Sequence, residues 1–232
     1  MNGVRGGCFV TGTDTGVGKT VVACALVRGL RARGVDAGAM KPVETGVGAG
    51  GPLDALALRA AAGDADALED VCPQRFGLPA APTVAAAAEA REVDLAAIDA
   101  AHARLAARHD WLVVEGAGGL LVPAARDVSM ADLAARLAHP LVVVARTRLG
   151  TLNHTALTLE AARRRGLHIA GLVICHADGR LCAADAANLV ALRSAPGAPL
   201  LGEIPPLEPE QLPEDDALDI DLLLEQAAPS GI

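Results

Sequence analysis

Aromatic side chains are nearly missing from this chain: two Phe, one Trp and no Tyr make up 1% of 232 residues, although 52% of the residues are hydrophobic. Ala, Val and Leu must therefore build the core through many small interlocking contacts rather than a few ring anchors. Basic clusters are scarce too. Against 28 Asp and Glu stand 20 Lys and Arg, a formal net charge of −8. This excludes the ordinary nucleic-acid surface, which needs grouped cations to displace counterions. The one basic run, Arg163–Arg165, precedes Gly166 and reads as the solvated last turn of a helix. Five cysteines (Cys8, Cys24, Cys72, Cys175, Cys182) are odd in number and widely spaced, with no Cys-x-x-Cys pair, and the six histidines are scattered. Neither a disulfide framework nor a zinc site is expected. No apolar run approaches membrane-spanning length, and the polar Thr11–Thr15 arrive too early for a secretory signal, so a cytoplasmic protein is expected.

What is present is an alternation. Cys8–Thr11, Val35–Met40, Trp111–Val114, Leu141–Ala145, Ile169–Cys175 and Leu200–Ile204 are short and mainly apolar, with Asp36 and Glu203 their only charges. Between them, Thr20–Arg33, Leu53–Ala62, Ala96–Arg108 and Met130–Ala138 carry helical patterns, the last with Ser129 and Asp132 placed as a capping pair. Runs apolar on both faces suit a mainly parallel sheet covered by helices on both sides. The expectation is a single α/β domain over residues 1–232, with irregular stretches at Gly46–Pro52 and Pro73–Pro82 and a Pro- and Glu-rich tail from Pro205 to Pro213 wrapping the surface.

Gly12-Thr13-Asp14-Thr15-Gly16-Val17-Gly18-Lys19-Thr20 follows the first expected strand and opens the first helix, the setting in which a Gly-rich loop holds phosphate. Backbone N–H groups of Gly16, Val17, Gly18 and Lys19 can converge on phosphate oxygens at the helix N-terminus. Lys19 supplies a charge toward the β- and γ-phosphates, and the Thr20 hydroxyl is suited to Mg²⁺. Five residues separate Gly12 from Gly18, one more than in the commonest form of this loop. Glu115 closes the apolar run Trp111–Val114 and precedes Gly116-Ala117-Gly118-Gly119. It either points into the crevice at the carboxyl ends of parallel strands or is a solvated strand-end acid. Asp54 starts a helix and is a metal ligand or an ordinary N-cap. Lys41, followed by Pro42, is a catalytic cation or a surface residue, and Asn153 and His154 bind a ligand or merely cap a helix.

Together these pieces resemble the dethiobiotin synthetases. The matching stretches are Gly12–Thr20, Met40–Gly46, Asp54–Leu58, Val114–Gly119, Leu149–His154 and Leu201–Pro205, in the family's order, and the family shares the longer phosphate loop. The resemblance implies a P-loop α/β fold and an ATP-dependent ligase in which 7,8-diaminopelargonate, CO₂ and ATP give dethiobiotin. It implies Mg²⁺ held by Thr20, Asp54 and Glu115, with Lys19 and Lys41 as catalytic cations. Nucleotide contacts fall to Thr15–Val21, Asp54, Glu115–Gly118, Cys175, His176, Ile204, Pro205 and Pro206. The substrate falls to Lys41, Thr45 and Leu149, Gly150, Thr151, Leu152 and Asn153, the last five reaching across a homodimer, where a short helix after Gly150 offers its N-terminus to the substrate carboxylate. No membrane or nucleic-acid partner is implied.

The chain departs from the family pattern at Cys175-His176, where many members carry Asn-Asp, and at Ala81, where serine is common. Cys lacks the paired donor and acceptor of an amide, so other nucleoside triphosphates are expected to serve beside ATP. Two rivals share the superfamily. An amidotransferase-type synthetase needs a glutaminase region, for which this chain has no room. A partition-type ATPase switch carries a second lysine early in the loop, where Gly12 and Thr13 stand here.

Overall fold

Successive side chains of a strand face opposite ways, so an apolar run covered on both faces splits its residues between two cores. β1 (Gly6–Gly12) does this, sending Phe9 to one side and Cys8 and Val10 to the other. A computed structural model describes residues 6–177, 181–194, 197–208 and 211–228. After β1 come α1 (Lys19–Ala32), β2 (Ala37–Met40), β3 (Val43–Thr45), α2 (Leu53–Ala61), α3 (Leu68–Val71), β4 (Gln74–Phe76) and α4 (Pro82–Ala88). Then follow α5 (Leu95–Arg108), β5 (Trp111–Gly119), β6 (Pro123–Ala125), β7 (Val128–Ser129), α6 (Met130–Arg136), β8 (Leu141–Arg146) and α7 (Thr151–Arg164). The last elements are β9 (Ile169–Cys175), α8 (Ala183–Ser194), β10 (Leu200–Ile204) and α9 (Ile220–Ala227).

Six strands form a parallel sheet in the order β10-β9-β8-β1-β5-β2. One face packs Cys8, Val10, Val113, Val142 and Val173 against α1 and α9. The other packs Phe9, Met40, Val114, Val143 and Leu172 against α5, α6, α7 and α8. Phe9, Phe76 and Trp111 are all buried, so the few rings present are spent in the interior.

The expected α/β architecture is what is found, and the capping pair is reciprocal: Ser129 and Asp132 each accept from the other's backbone N–H. Three local expectations need correction. Pro73–Pro82 is not irregular throughout, because Gln74–Phe76 pairs in parallel with Val43–Thr45 and Pro82 opens α4. The helix after Gly150 is not short but runs for 14 residues. Glu115 lies inside β5, which continues to Gly119. Pro205–Pro213 is irregular and largely exposed, as expected (positions 209 and 210 lie outside the described residues), and beyond it Ile220 and Leu223 of α9 are buried against the sheet. These stretches are short or Ala-rich, so their periodicity is weak, and tertiary packing decides them.

Candidate active site

β1 delivers the glycine loop to the sheet's carboxyl edge between its neighbours β5 and β8. Gly16 and Gly18 take left-handed φ values of 73° and 92°, and Gly18 is the N-cap of α1. A side chain at Gly18 is excluded twice, by its φ and by Cys175 Sγ, which fills the space a Cβ needs. The loop is anchored by Thr13 N–H to Val144 O (2.9 Å) and by Thr15 N–H to Asp14 Oδ1 (2.7 Å). Lys19 is buried and its ammonium folds back on Asp14 O at 3.2 Å. Burial lowers its pKa, although Glu115 and Asp54 oppose this.

Four chain segments meet below that loop. Lys41 Nζ, following β2, donates to Asp54 Oδ2 at 2.7 Å and to Glu115 Oε1 at 2.5 Å, and Thr20 Oγ1 donates to the same Glu115 oxygen at 2.9 Å. Lys41 and Glu115 are 3% and 1% exposed, which removes the surface-residue reading of both. Burial alone lowers the Lys41 pKa, but the two carboxylates outweigh it and hold the ammonium firmly charged. Burial raises the Glu115 pKa, with Lys41 only partly offsetting it. Asp54 is less enclosed; burial pushes its pKa up, yet Lys41 wins and the carboxyl stays below its usual range. Asp54 does not cap α2, since the N-cap is Pro52 and the Asp54 carboxylate turns to Lys41.

Sequence reasoning missed Glu44. Its Oε1 accepts from Asp54 N–H at 3.0 Å and its Oε2 from Ala55 N–H at 2.9 Å. The signal was faint: one acid beside Thr45, with its partner ten residues on.

These groups line a cleft of about 380 Å³ together with Thr15, Val21, Thr45, Ala117 and Gly118. Val17 instead points into the core, and Gly116 packs against Phe9. Leu149–Asn153 do not line this cleft within one chain. Gly150 (φ 95°) is the N-cap of α7, Leu149 is exposed, and the Thr151 side chain turns inward to Arg146 O at 2.5 Å. Cys175 is buried over Gly18, and His176 leads from it to Ala177 at the cleft wall. His176 Nε2 meets Glu203, which Arg193 holds at 2.7 Å. Ile204 is buried, while Pro205 and Pro206 are exposed on the same edge. A larger hollow of about 780 Å³ opens at the sheet's amino end, but it has no glycine loop and no lysine, so chemistry rather than size selects the smaller cleft.

Among the described residues Glu115 Oε2 has no hydrogen-bond partner; it is buried beside a hydroxyl and a second carboxylate, and this donor set fits a hard cation such as Mg²⁺. Among the described residues no group of three or more His, Cys, Asp or Glu is arranged to hold a metal alone. Two carboxylates and a hydroxyl suit an ion that takes its remaining ligands from phosphate and water.

Residues 6–212 match a family described as AAA domain. The ATP-dependent dethiobiotin synthetase BioD of Bacillus licheniformis is 39% identical over 226 residues, covering 95% of this chain and 96% of that one. The protein of the same name from Anaeromyxobacter dehalogenans is 61% identical over 168 residues, covering 72% and 75%. The chain belongs to the ATP-dependent dethiobiotin synthetase family. Outside that family the likeness is one of fold alone: a ParA family ATPase from Chlorobium tepidum gives a TM-score of 0.53 at 15% identity, covering 97% of this chain and 91% of that one. Within the family, the residues that meet in the cleft come from the segments that carry the resemblance. No described helix is long and apolar enough to cross a membrane.

Proposed function

We propose that this protein is an ATP-dependent dethiobiotin synthetase, the ligase that closes the ureido ring in biotin synthesis. One amine of 7,8-diaminopelargonate takes up CO₂ as a carbamate. A carbamate oxygen attacks the γ-phosphorus of ATP and ADP leaves. The second amine then attacks the carbonyl carbon of the mixed anhydride, and phosphate leaves. No step needs a protein nucleophile, and among the described residues no Cys, Ser or His lines the cleft. Catalysis of this kind rests on positioning and on neutralising charge.

The observation that carries the reading is the meeting of Lys19, Thr20, Lys41, Asp54 and Glu115 beside Thr45 in one cleft. The glycine loop binds the triphosphate through backbone N–H groups and Lys19. Thr20, Asp54 and Glu115 are the residues that hold Mg²⁺, which supplies charge neutralisation at the phosphates. Lys41 faces the transferring phosphoryl group and the carbamate, and Thr45 offers its hydroxyl to the diamine. Leu149–Asn153 serve a neighbouring subunit, with the α7 N-terminus receiving the substrate carboxylate, so the working form is a cytoplasmic homodimer of one-domain chains. Cys175, His176, Ile204, Pro205 and Pro206 border the nucleobase.

The test is to incubate the protein with diaminopelargonate, bicarbonate, Mg²⁺ and each nucleoside triphosphate in turn. Dethiobiotin and inorganic phosphate are expected in equal amounts. Absence of dethiobiotin with every nucleotide overturns the reading. A stable monomeric variant is expected to bind nucleotide but not diaminopelargonate, and full substrate affinity in that monomer rules out the cross-subunit site.

A further inference from the structure

The helix that carries Asp54 has no cap of its own. Its N-cap residue, Pro52, offers no side-chain acceptor, and the first N–H groups of any helix lack partners within it. The link from β3 to α2 contains Gly46, Gly48, Gly50 and Gly51, a composition that does little to hold the helix start in one place. Glu44 supplies what both lack. Its two oxygens accept separately from Asp54 N–H and Ala55 N–H, at 3.0 and 2.9 Å, and the residue is buried. The positive end of α2 offsets the charge placed there. At its other end Glu44 is fixed by the strand: β3 pairs in parallel with β4, Glu44 opposite Arg75, and the next residue is Thr45 at the cleft.

We propose that Glu44 is a positioning residue, the joint that holds the metal carboxylate of Asp54 in register with the substrate hydroxyl of Thr45. One side chain thereby ties metal–nucleotide loading to acceptance of the diamine. This rests on the roles assigned to Asp54 and Thr45 above. Both Glu44 oxygens are engaged by the Asp54 and Ala55 amides. The residue acts through the backbone of Asp54, whose carboxylate then reaches Lys41 at 2.7 Å.

Three measurements on Glu44→Ala and Glu44→Gln test this. The first is amide hydrogen exchange at Asp54 and Ala55 without Mg²⁺ or nucleotide, where wild type is expected to be protected and Glu44→Ala to lose about tenfold or more of that protection. The second is the Mg²⁺ concentration for half-maximal turnover, expected to rise about tenfold or more, the usual effect of removing a group that orients a metal ligand. The third is the KM for diaminopelargonate, expected to rise with it, while kcat at saturating Mg²⁺ and substrate changes less than either. Glu44→Gln retains one acceptor oxygen and is expected to fall between, and it decides the matter if Glu44→Ala does not fold. Lost protection with an unchanged Mg²⁺ requirement and an unchanged KM overturns the proposal, leaving Glu44 an ordinary helix cap. Unprotected amides in wild type overturn it as well. If wild type forms no dethiobiotin, the functional reading fails by itself, and the exchange data still report on the cap.

Discussion

Two ion networks, each around one buried carboxylate, sit at opposite ends of the same sheet, and they differ in whether they are complete. At the amino end, Asp66 Oδ1 accepts from Arg108 at 3.0 Å, and Asp66 Oδ2 faces His109 Nε2 at 2.8 Å. His109 Nδ1 faces Asp36 at 2.9 Å. Both ring nitrogens meet carboxylates, an arrangement that only the doubly protonated imidazolium satisfies. Burial lowers the His109 pKa, but these two bonds outweigh it and the result lies above the usual value. Every polar atom named there has a partner. At the carboxyl end, Lys41 and Thr20 converge on a single Glu115 oxygen and leave Oε2 with none. An unpaired buried oxygen costs about 1–3 kcal/mol, which a fastening has no reason to retain. The complete network pins the loop before α3 to α5, and the incomplete one keeps a carboxylate oxygen unpaired, as the proposed metal role requires.

The sharpest way to break the comparison is Lys41→Ala. Turnover is expected to fall about a hundredfold or more, the scale of losing one charge-stabilising donor. Because Asp54 and Glu115 are then left facing each other, the nucleotide-free variant is also expected to melt earlier and to recover more than wild type when Mg²⁺ and ATP are added. Near-normal turnover removes Lys41 from the catalytic set.

Glu115→Gln comes next. The amide keeps the shape and a neutral acceptor, so the protein is expected to fold while its Mg²⁺ titration shifts by roughly tenfold to a hundredfold. Superimposable Mg²⁺ curves return Glu115 to a structural role.

Asp66→Asn probes the other end. A loss on the order of 1–3 kcal/mol in stability is expected with kcat and KM unchanged. The sign with pH follows from His109, whose folded pKa is raised. Its contribution is whole below the unfolded value of about 6.5 and disappears as pH rises through the folded one. Melting curves of wild type and variant are therefore expected to differ most near pH 6 and to draw closer at alkaline pH, where the Arg108 contact still separates them. A gap that widens with pH contradicts the charged-His109 assignment.

The smallest effect concerns the nucleobase. Cys175 has only a weak S–H donor and a weak acceptor, and His176 Nε2 is committed to Glu203. CTP is expected to support turnover within about tenfold of ATP, and Cys175→Asn to shift preference toward ATP, since a bidentate amide contact is worth about 1–3 kcal/mol. Rejection of CTP by more than about a thousandfold in wild type means that other groups read adenine.

How much of this was legible beforehand depended on the distance along the chain between interacting groups. The phosphate loop could be read because its requirements are contiguous: glycines where φ is positive, then Lys19 and Thr20 at the start of α1. The main-sheet strands could be read because runs such as Leu141–Ala145 are apolar on both faces. β4 could not, because Gln74–Phe76 becomes a strand only by pairing with Val43–Thr45. Resemblance supplied roles for Lys41, Asp54 and Glu115, while their residue types alone left a surface lysine, an N-cap and a solvated acid open as alternatives.

By itself, then, the sequence determined the parallel α/β architecture and the glycine loop, since periodicity and backbone dihedral demands are local properties. Only the tertiary structure decided that Lys41 bridges Asp54 and Glu115, that Glu44 rather than Asp54 secures the start of α2, and that His109 closes the opposite network. Lys41 and Glu115 are 74 positions apart. The energy of a buried charge depends on which partner the fold brings within about 3 Å of it, and no pattern along the chain encodes that distance.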